Sequence, residues 1–289
     1  MSELKIFNGG QKSTWCPGCG DFGILAALKQ ALAGLDLHPH EVLLVSGIGC
    51  GSKLPHYMKA NGYNSIHGRA LPVAQGIKLA NHNLNVIAVT GDGDGYGIGQ
   101  GHFIHAMRRN TDITHIVENN QVYGLTKGQY SPTSERGYIS SFSPEGALEF
   151  AINPIALAIS AGATFIARAS AADPKHMNSV LQAAISHQGY SLVDCLQPCV
   201  TYNKINTFDW YRSRTYKLEE DSSYDPKDRE QVWRKAQEWG DQIPIGIFYE
   251  DTERPTYEEQ VSALKKGPLV QQELNGRYAD YEALKLEFV

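Results

Sequence analysis

Two short segments carry residue types that bind metal or phosphate. Trp15-Cys16-Pro17-Gly18-Cys19-Gly20 sets two thiols two residues apart, the spacing at which one centre takes two ligands. Gly91-Asp92-Gly93-Asp94 alternates carboxylates with glycine. Carboxylate and amide oxygens suit a magnesium ion bound to a diphosphate, and the glycines let backbone N–H groups approach phosphate with no Cβ between. Asn119-Asn120 follows at the end of what reads as the next strand. Asp92 and Asn120 can then give oxygens to one ion, with a backbone carbonyl near Val122 as a third. No Gly-Lys-Ser/Thr follows the turn, so it is not a nucleotide P-loop. Gly95-Tyr96-Gly97-Ile98-Gly99 lacks dinucleotide-fingerprint spacing. A tight turn without a ligand is the plain alternative.

The five cysteines are Cys16, Cys19, Cys50, Cys195 and Cys199. An odd count in a chain of this length does not read as a disulfide framework. Cys50 follows one apolar run and Cys199 follows another, so Cys16, Cys19, Cys50 and Cys199 can converge on one edge of a sheet. Four thiolates suit a [4Fe–4S] cluster or structural zinc, and spacing does not separate the two. A thioredoxin-like pair at Cys16 and Cys19 is a third option, although no strand precedes it. Cys195 falls inside a strand pattern and reads as a small buried hydrophobe; its replacing Cys199 as a ligand is the alternative.

The elements that must position these groups alternate along the chain. Apolar runs at Val42–Val45, Val86–Val89, Ile113–Val117, Thr164–Arg168 and Ser191–Leu196 read as buried parallel strands. Periodic segments at Asp21–Ala33, Leu71–Ala80, Phe103–Arg109, 154–161 and Pro174–His187 read as helices, with Asp21 as a cap of the first. Such alternation predicts an α/β fold, a mostly parallel sheet with helices on both faces, in which ligands bind beyond the C-terminal strand ends. Residues 124–150 read as a long irregular segment and Asp221–Glu230 as surface loop. Residues 1–199 form the expected main domain. Residues 200–289 show no clean period and read as a C-terminal extension packing on the core or on a partner subunit, with Tyr202, Trp210 and Tyr211 facing that partner.

With 42% hydrophobic and 20% charged residues among 289 and a net charge of −5, nothing points to nucleic acid. No apolar run is long enough for a membrane span, and no leader pattern is visible, so a cytoplasmic protein is expected.

Together these segments, with Gly47-Ile48-Gly49-Cys50, His67-Gly68-Arg69, Val122-Tyr123-Gly124-Leu125-Thr126 and Pro198-Cys199, resemble the beta subunit of the 2-oxoacid:ferredoxin oxidoreductases over about residues 12–205. The resemblance implies a thiamine-diphosphate-binding fold holding thiamine diphosphate, Mg2+ and one [4Fe–4S] cluster. By the match, Cys16, Cys19, Cys50 and Cys199 ligate the cluster, and Asp92, Asn120 and the Val122 carbonyl ligate magnesium. Gly49, Cys50, His67, Gly91, Asp92, Gly93, Asp94, Asn120 and the Val122–Thr126 segment then line the cofactor. His67, Arg69 and Lys53 are the candidate catalytic residues, Lys53 facing a substrate carboxylate, and Leu125 shapes the substrate pocket. His102 and His105 are expected on a helix surface or interface. The implied partners are an alpha subunit, ferredoxin, coenzyme A and a 2-oxoacid, assembled as a dimer of alpha-beta pairs. Among substrates, 2-oxoglutarate is favoured over pyruvate or broad specificity. A non-oxidative thiamine decarboxylase and a non-catalytic iron–sulfur subunit are the competing functions.

Overall fold

Short caps decide where several helices begin. Asn153 Oδ1 accepts from the Ala156 N–H ahead of Pro154, and Asp173 Oδ1 accepts from the His176 N–H ahead of Pro174. The computed structural model describes residues 3–273 and 278–287. In chain order its elements are α1 (Asp21–Gly34), β1 (Val42–Ser46), β2 (Asn61–Asn64), α2 (Ala70–Ala80), β3 (Asn85–Gly91), α3 (Gln100–Arg109), β4 (Ile113–Asn119), β5 (Val122–Tyr123), β6 (Gln129–Tyr130) and α4 (Pro154–Ala161). They continue as β7 (Phe165–Ser170), α5 (Pro174–Ser186), β8 (Tyr190–Leu196), α6 (Phe208–Arg212), β9 (Thr215–Lys217), α7 (Arg229–Ala236), β10 (Ile243–Glu250), α8 (Tyr257–Gln260) and α9 (Tyr278–Leu286).

Among the described residues one sheet runs β2-β1-β3-β4-β8-β7-β10-β9. From β2 through β7 all neighbours are parallel; β10 joins β7 antiparallel. Every residue of β4, β7 and β8 is buried, as two covered faces require. On one face α1 and α5 pack Ile24, Leu28 and Leu181 against Val193 and Ile87. On the other, Leu71, Phe103, Ile155 and Val232 of α2, α3, α4 and α7 cover Ala88, Val117 and Leu192. No described helix is long and apolar enough to cross a membrane.

Three sequence expectations need correction. Asp21 does not cap α1: Gly20 holds the cap position without a side-chain bond, and the Asp21 carboxyl turns into the protein. The segment after Cys199 is less a tail than part of the sheet, since it supplies β9, β10 and the covering helix α7. Pro244 and Gly246 lie within β10 and hide its strand pattern in the sequence; residues 274–277, 288 and 289 of this extension lie outside the described residues. Tyr211 does not await a partner: it is fully buried within the chain, packed with Leu196, Ile243 and Ile245, while Trp210 lies near Trp239. The irregular 124–150 segment contains only the short β6, which pairs with β5 just ahead of it, and an isolated bridge at Ser140 and Ser143.

One buried ring gives the fold a pH dependence. His115 in β4 sits 2.9 Å from Thr90 Oγ1 and 2.7 Å from the Tyr190 hydroxyl, and burial depresses its pKa from 6.5 to about 3. Below pH 6.5 the unfolded chain takes up a proton that the folded ring refuses. Stability from this residue is therefore fully present above the unfolded value. It is lost as pH falls from there toward the folded value, at up to about 1.4 kcal/mol per pH unit. His115→Gln should remove that slope, as read by urea unfolding at a series of pH values across the window. An unchanged slope would assign the dependence to other groups.

Candidate active site

Parallel strands deliver their C-terminal ends to one edge. The register pairs Ser46 with Val89, Gly91 with Glu118 and Asn119 with Leu196, so the loops leaving β1, β3, β4 and β8 emerge side by side. A cleft of about 100 Å3 opens among the first three of them. Gly49, Cys50, His67, Gly91, Asp92, Gly93, Asp94, Asn120, Val122, Tyr123, Gly124, Leu125 and Thr126 all line it, joined by Ile48, Gly51 and Glu118. Lys53 and Arg69 do not. Lys53 Nζ donates to Thr14 Oγ1 at 3.2 Å. Arg69 is exposed and donates to His102 Nε2 at 2.8 Å.

Asp92 is buried, and its Oδ2 accepts from the Ser131 hydroxyl and, at 2.6 Å, from the Thr133 hydroxyl. Burial pushes its pKa up to about 6, against the pull of those two hydroxyls. Asn120 Oδ1 accepts from the Val122 N–H at 3.0 Å, and Asn203 Nδ2 donates to the Asn120 carbonyl at 3.0 Å. Two oxygen donors are thus held rigidly on one cleft. Their chemistry fits a magnesium-bound diphosphate, with glycine backbone at Gly91 and Gly93 beside them.

Asp94 has a different task. Its Oδ1 accepts from the N–H groups of Ile48 and Gly68 at 3.2 and 2.7 Å and lies 2.5 Å from His67 Nδ1. One carboxylate therefore ties the β1 loop to the His67 loop. Gly47 is forced by the same residue, because a Cβ there would stand 1.8 Å from Asp94 Oδ2. Gly47→Ala should cost about 1–3 kcal/mol in urea unfolding, the usual range for overpacking, and loosen His67. A wild-type midpoint would show that the loop yields freely.

The sequence reading missed a pair of acids. Asp21 and Glu118 are both buried, and among the described residues none of their four carboxyl oxygens has a hydrogen-bond partner. Burial raises both carboxyls, and Asp21 raises Glu118 further. Gly51 makes room for the pair, since a Cβ there would stand 2.2 Å from Glu118 Oε2. The acidic letters were visible, but nothing in their spacing announces a contact between β4 and the start of α1.

The cysteines meet at the same edge. The Cys16–Cys19 turn packs against Pro198, with the Gly20 N–H donating to the Pro198 carbonyl at 3.2 Å and Gln197 Nε2 lying 3.1 Å from Cys19 Sγ. Trp15 Nε1 donates to the Cys50 carbonyl at 2.7 Å. A Cβ placed at Gly124 would meet Cys50 Sγ at 3.7 Å, Cys199 Sγ at 3.8 Å and Asn120 Nδ2 at 3.9 Å. Burial pushes the Cys50 thiol up to about 11 and raises Cys19 further, so neither is a thiolate without a cation beside it. Among the described residues no three His, Cys, Asp or Glu side chains close around a single ion. Cys50 and Cys199 share the space beside Gly124; thiols set more widely than one ion needs suit a polynuclear iron–sulfur cluster, which spreads its thiolates over several irons. Cys195 stays apart, fully buried in β8.

Comparison with known proteins agrees with this architecture. The family described as thiamine pyrophosphate enzyme, C-terminal TPP binding domain, matches residues 47–195. The family of the C terminal part of the pyruvate ferredoxin oxidoreductase beta subunit matches residues 199–266. The beta subunit of 2-oxoacid:ferredoxin oxidoreductase 1 from Aeropyrum pernix is 52% identical over 259 residues, covering 86% of this chain and 81% of that one. The 2-oxoacid:ferredoxin oxidoreductase beta subunit of Saccharolobus solfataricus is 52% identical over 273 residues, 91% of this chain and 88% of the relative. A solved structure of 2-oxoglutarate:ferredoxin oxidoreductase from Magnetococcus marinus, with 2-oxoglutarate, coenzyme A and succinyl-CoA bound, superposes with a TM-score of 0.90 at 34% identity, covering 97% of this chain and 95% of that one. With its cleft, its cysteine edge and these likenesses over nearly its whole length, the chain belongs to the 2-oxoacid:ferredoxin oxidoreductases, as an enzyme of that family and its beta subunit.

Proposed function

We propose that this subunit holds the diphosphate end of thiamine diphosphate with Mg2+, and one [4Fe–4S] cluster, in a coenzyme A-dependent oxidoreductase whose preferred substrate is 2-oxoglutarate. One observation carries the reading: a single carbon-sized space at Gly124 is bounded by Cys50, Cys199 and Asn120. Two cluster ligands and a magnesium ligand thus share a wall. When bound, thiamine diphosphate supplies an electron sink for decarboxylation and the cluster passes single electrons to ferredoxin.

The chain's own groups hold and orient. Ser131 and Thr133 fix the Asp92 carboxylate for the ion, and Asn120 adds an amide oxygen. Asp94 holds His67 at the cleft, where the ring bounds the reacting space. Lys53 donates to Thr14 and is a cation near Cys50, able to offset a substrate carboxylate. Exposed aliphatic side chains ring the mouth: Ile48 and Leu125 line the cleft, Ile66 precedes His67, and Ile98 lies against Gly68. Such a rim suits burial by another chain, and an alpha subunit that covers the site, in a dimer of alpha-beta pairs, accounts for it.

The test is viologen reduction by the alpha-beta complex across a panel of 2-oxoacids with coenzyme A. 2-Oxoglutarate should give the highest kcat/KM. Equal values for pyruvate and 2-oxoglutarate would overturn the substrate preference and leave a broad-specificity enzyme.

A further inference from the structure

A larger cavity lies behind the magnesium loop, outside the cleft described above. It encloses about 290 Å3 and is walled by Arg168, Gln121, Trp239, Ala151 and Asn119 among others. Two of these residues are buried polar groups left incomplete. Arg168 is 2% exposed; its Nε donates to Asp194 Oδ2 at 3.0 Å, yet its Nη1 has no partner among the described residues. Gln121 is 3% exposed and its Oε1 likewise has none. A buried polar atom without a partner costs free energy, and this cavity carries one such donor and one such acceptor. An aromatic wall stands beside them. The guanidinium carbon of Arg168 lies 5.3 Å from the centre of the Trp239 ring, and that indole is itself fixed by donating to Glu135 Oε1 at 2.8 Å.

Charge narrows the ligand. Asp194 already accepts from Arg168, from the Tyr96 hydroxyl and from Asn119 Nδ2, so the Arg168–Asp194 pair is closed and neutral. What it leaves is a donor direction rather than a free positive charge. At about 30 Å3 per water-sized group the space takes roughly ten non-hydrogen atoms. We propose that this cavity binds a small flat molecule that presents an sp2 acceptor oxygen, carbonyl or carboxylate, to Arg168 and an apolar body to Trp239.

The site is connected to the cofactor loop. Asp194 holds Asn119, whose Oδ1 lies 2.9 Å from Thr133 Oγ1, and that hydroxyl reaches Asp92. A ligand that draws on Arg168 therefore acts on the neighbours of a magnesium-site carboxylate without entering the cleft.

Isothermal calorimetry on the assembled alpha-beta complex tests this with benzoate and benzamide as probes. Ala151 is exposed on the cavity wall, so Ala151→Trp plugs the space without touching Arg168 or the core. The expected result is saturable binding, one per beta chain, weakened at least tenfold by Ala151→Trp. Ser222→Trp, in a separate groove, should leave it unchanged. Binding of both probes identifies a carbonyl acceptor as sufficient. Binding of benzoate alone identifies a carboxylate, and of benzamide alone an amide whose N–H groups also satisfy Gln121. No saturable heat at millimolar probe, or equal heat from the plugged variant, would overturn the proposal and leave a cavity filled by water. The readout needs neither turnover nor the 2-oxoglutarate preference.

Discussion

Cys199→Ala is expected to strip most of the iron from the purified complex and to abolish its broad visible absorption. Cys199 is 9% exposed and shares the Gly124 wall with Cys50, so no solvent ligand replaces it easily. Loss of a residue that merely supports a metal ligand costs about 10–100-fold; loss of the ligand itself should exceed that. Viologen reduction with any 2-oxoacid should fall more than about 100-fold. Cys195→Ala is the internal comparison: that thiol is buried in β8, away from the edge, and its removal should leave iron content unchanged. Full iron in Cys199→Ala, or iron lost from Cys195→Ala instead, would exchange the roles of the two residues.

Asp92→Asn should separate cofactor binding from cluster binding. The asparagine keeps the size of the side chain but removes the charge. At an effective dielectric of about 20, a unit charge pair some 4 Å apart is worth roughly 4 kcal/mol. Magnesium-dependent affinity for thiamine diphosphate should drop at least about 100-fold by calorimetry, while iron content stays at the wild-type level. The hydroxyls of Ser131 and Thr133 retain an acceptor, so the fold should hold. Unchanged cofactor affinity would remove Asp92 from the magnesium site.

Legibility in the sequence followed locality. β1, β3, β4, β7 and β8 were readable because strands buried on both faces are written as apolar runs, and the α/β class followed from their alternation with helices. The Cys16–Cys19 pair and the Gly-Asp turn were readable because each sets its residues close together in one loop, whereas Cys50 and Cys199 lie on other loops. β10 was not, since proline and glycine break its run, nor was β2, whose Asn61–Asn64 residues are all exposed. The Asp21–Glu118 pair, the hydroxyl clasp of Ser131 and Thr133 on Asp92, and the tie from Asp94 to Gly68 join residues 26 to 97 positions apart on different elements. Such contacts depend on strand order, which no local spacing encodes. Asp94 shows the limit well: a motif places it beside Asp92, and only the fold reveals that it braces loops.

The reversed strand β10 has a consequence for how the molecule is made. It shields the backbone of β7, a wholly buried strand whose bare flank would otherwise recruit a second chain. Along the polypeptide, Cys199 falls between these two neighbours in the sheet. A nascent product released at this cysteine would own every thiol yet expose an adhesive border. Solubility of the subunit is therefore secured only once synthesis has passed Glu250, the last residue of the sealing strand.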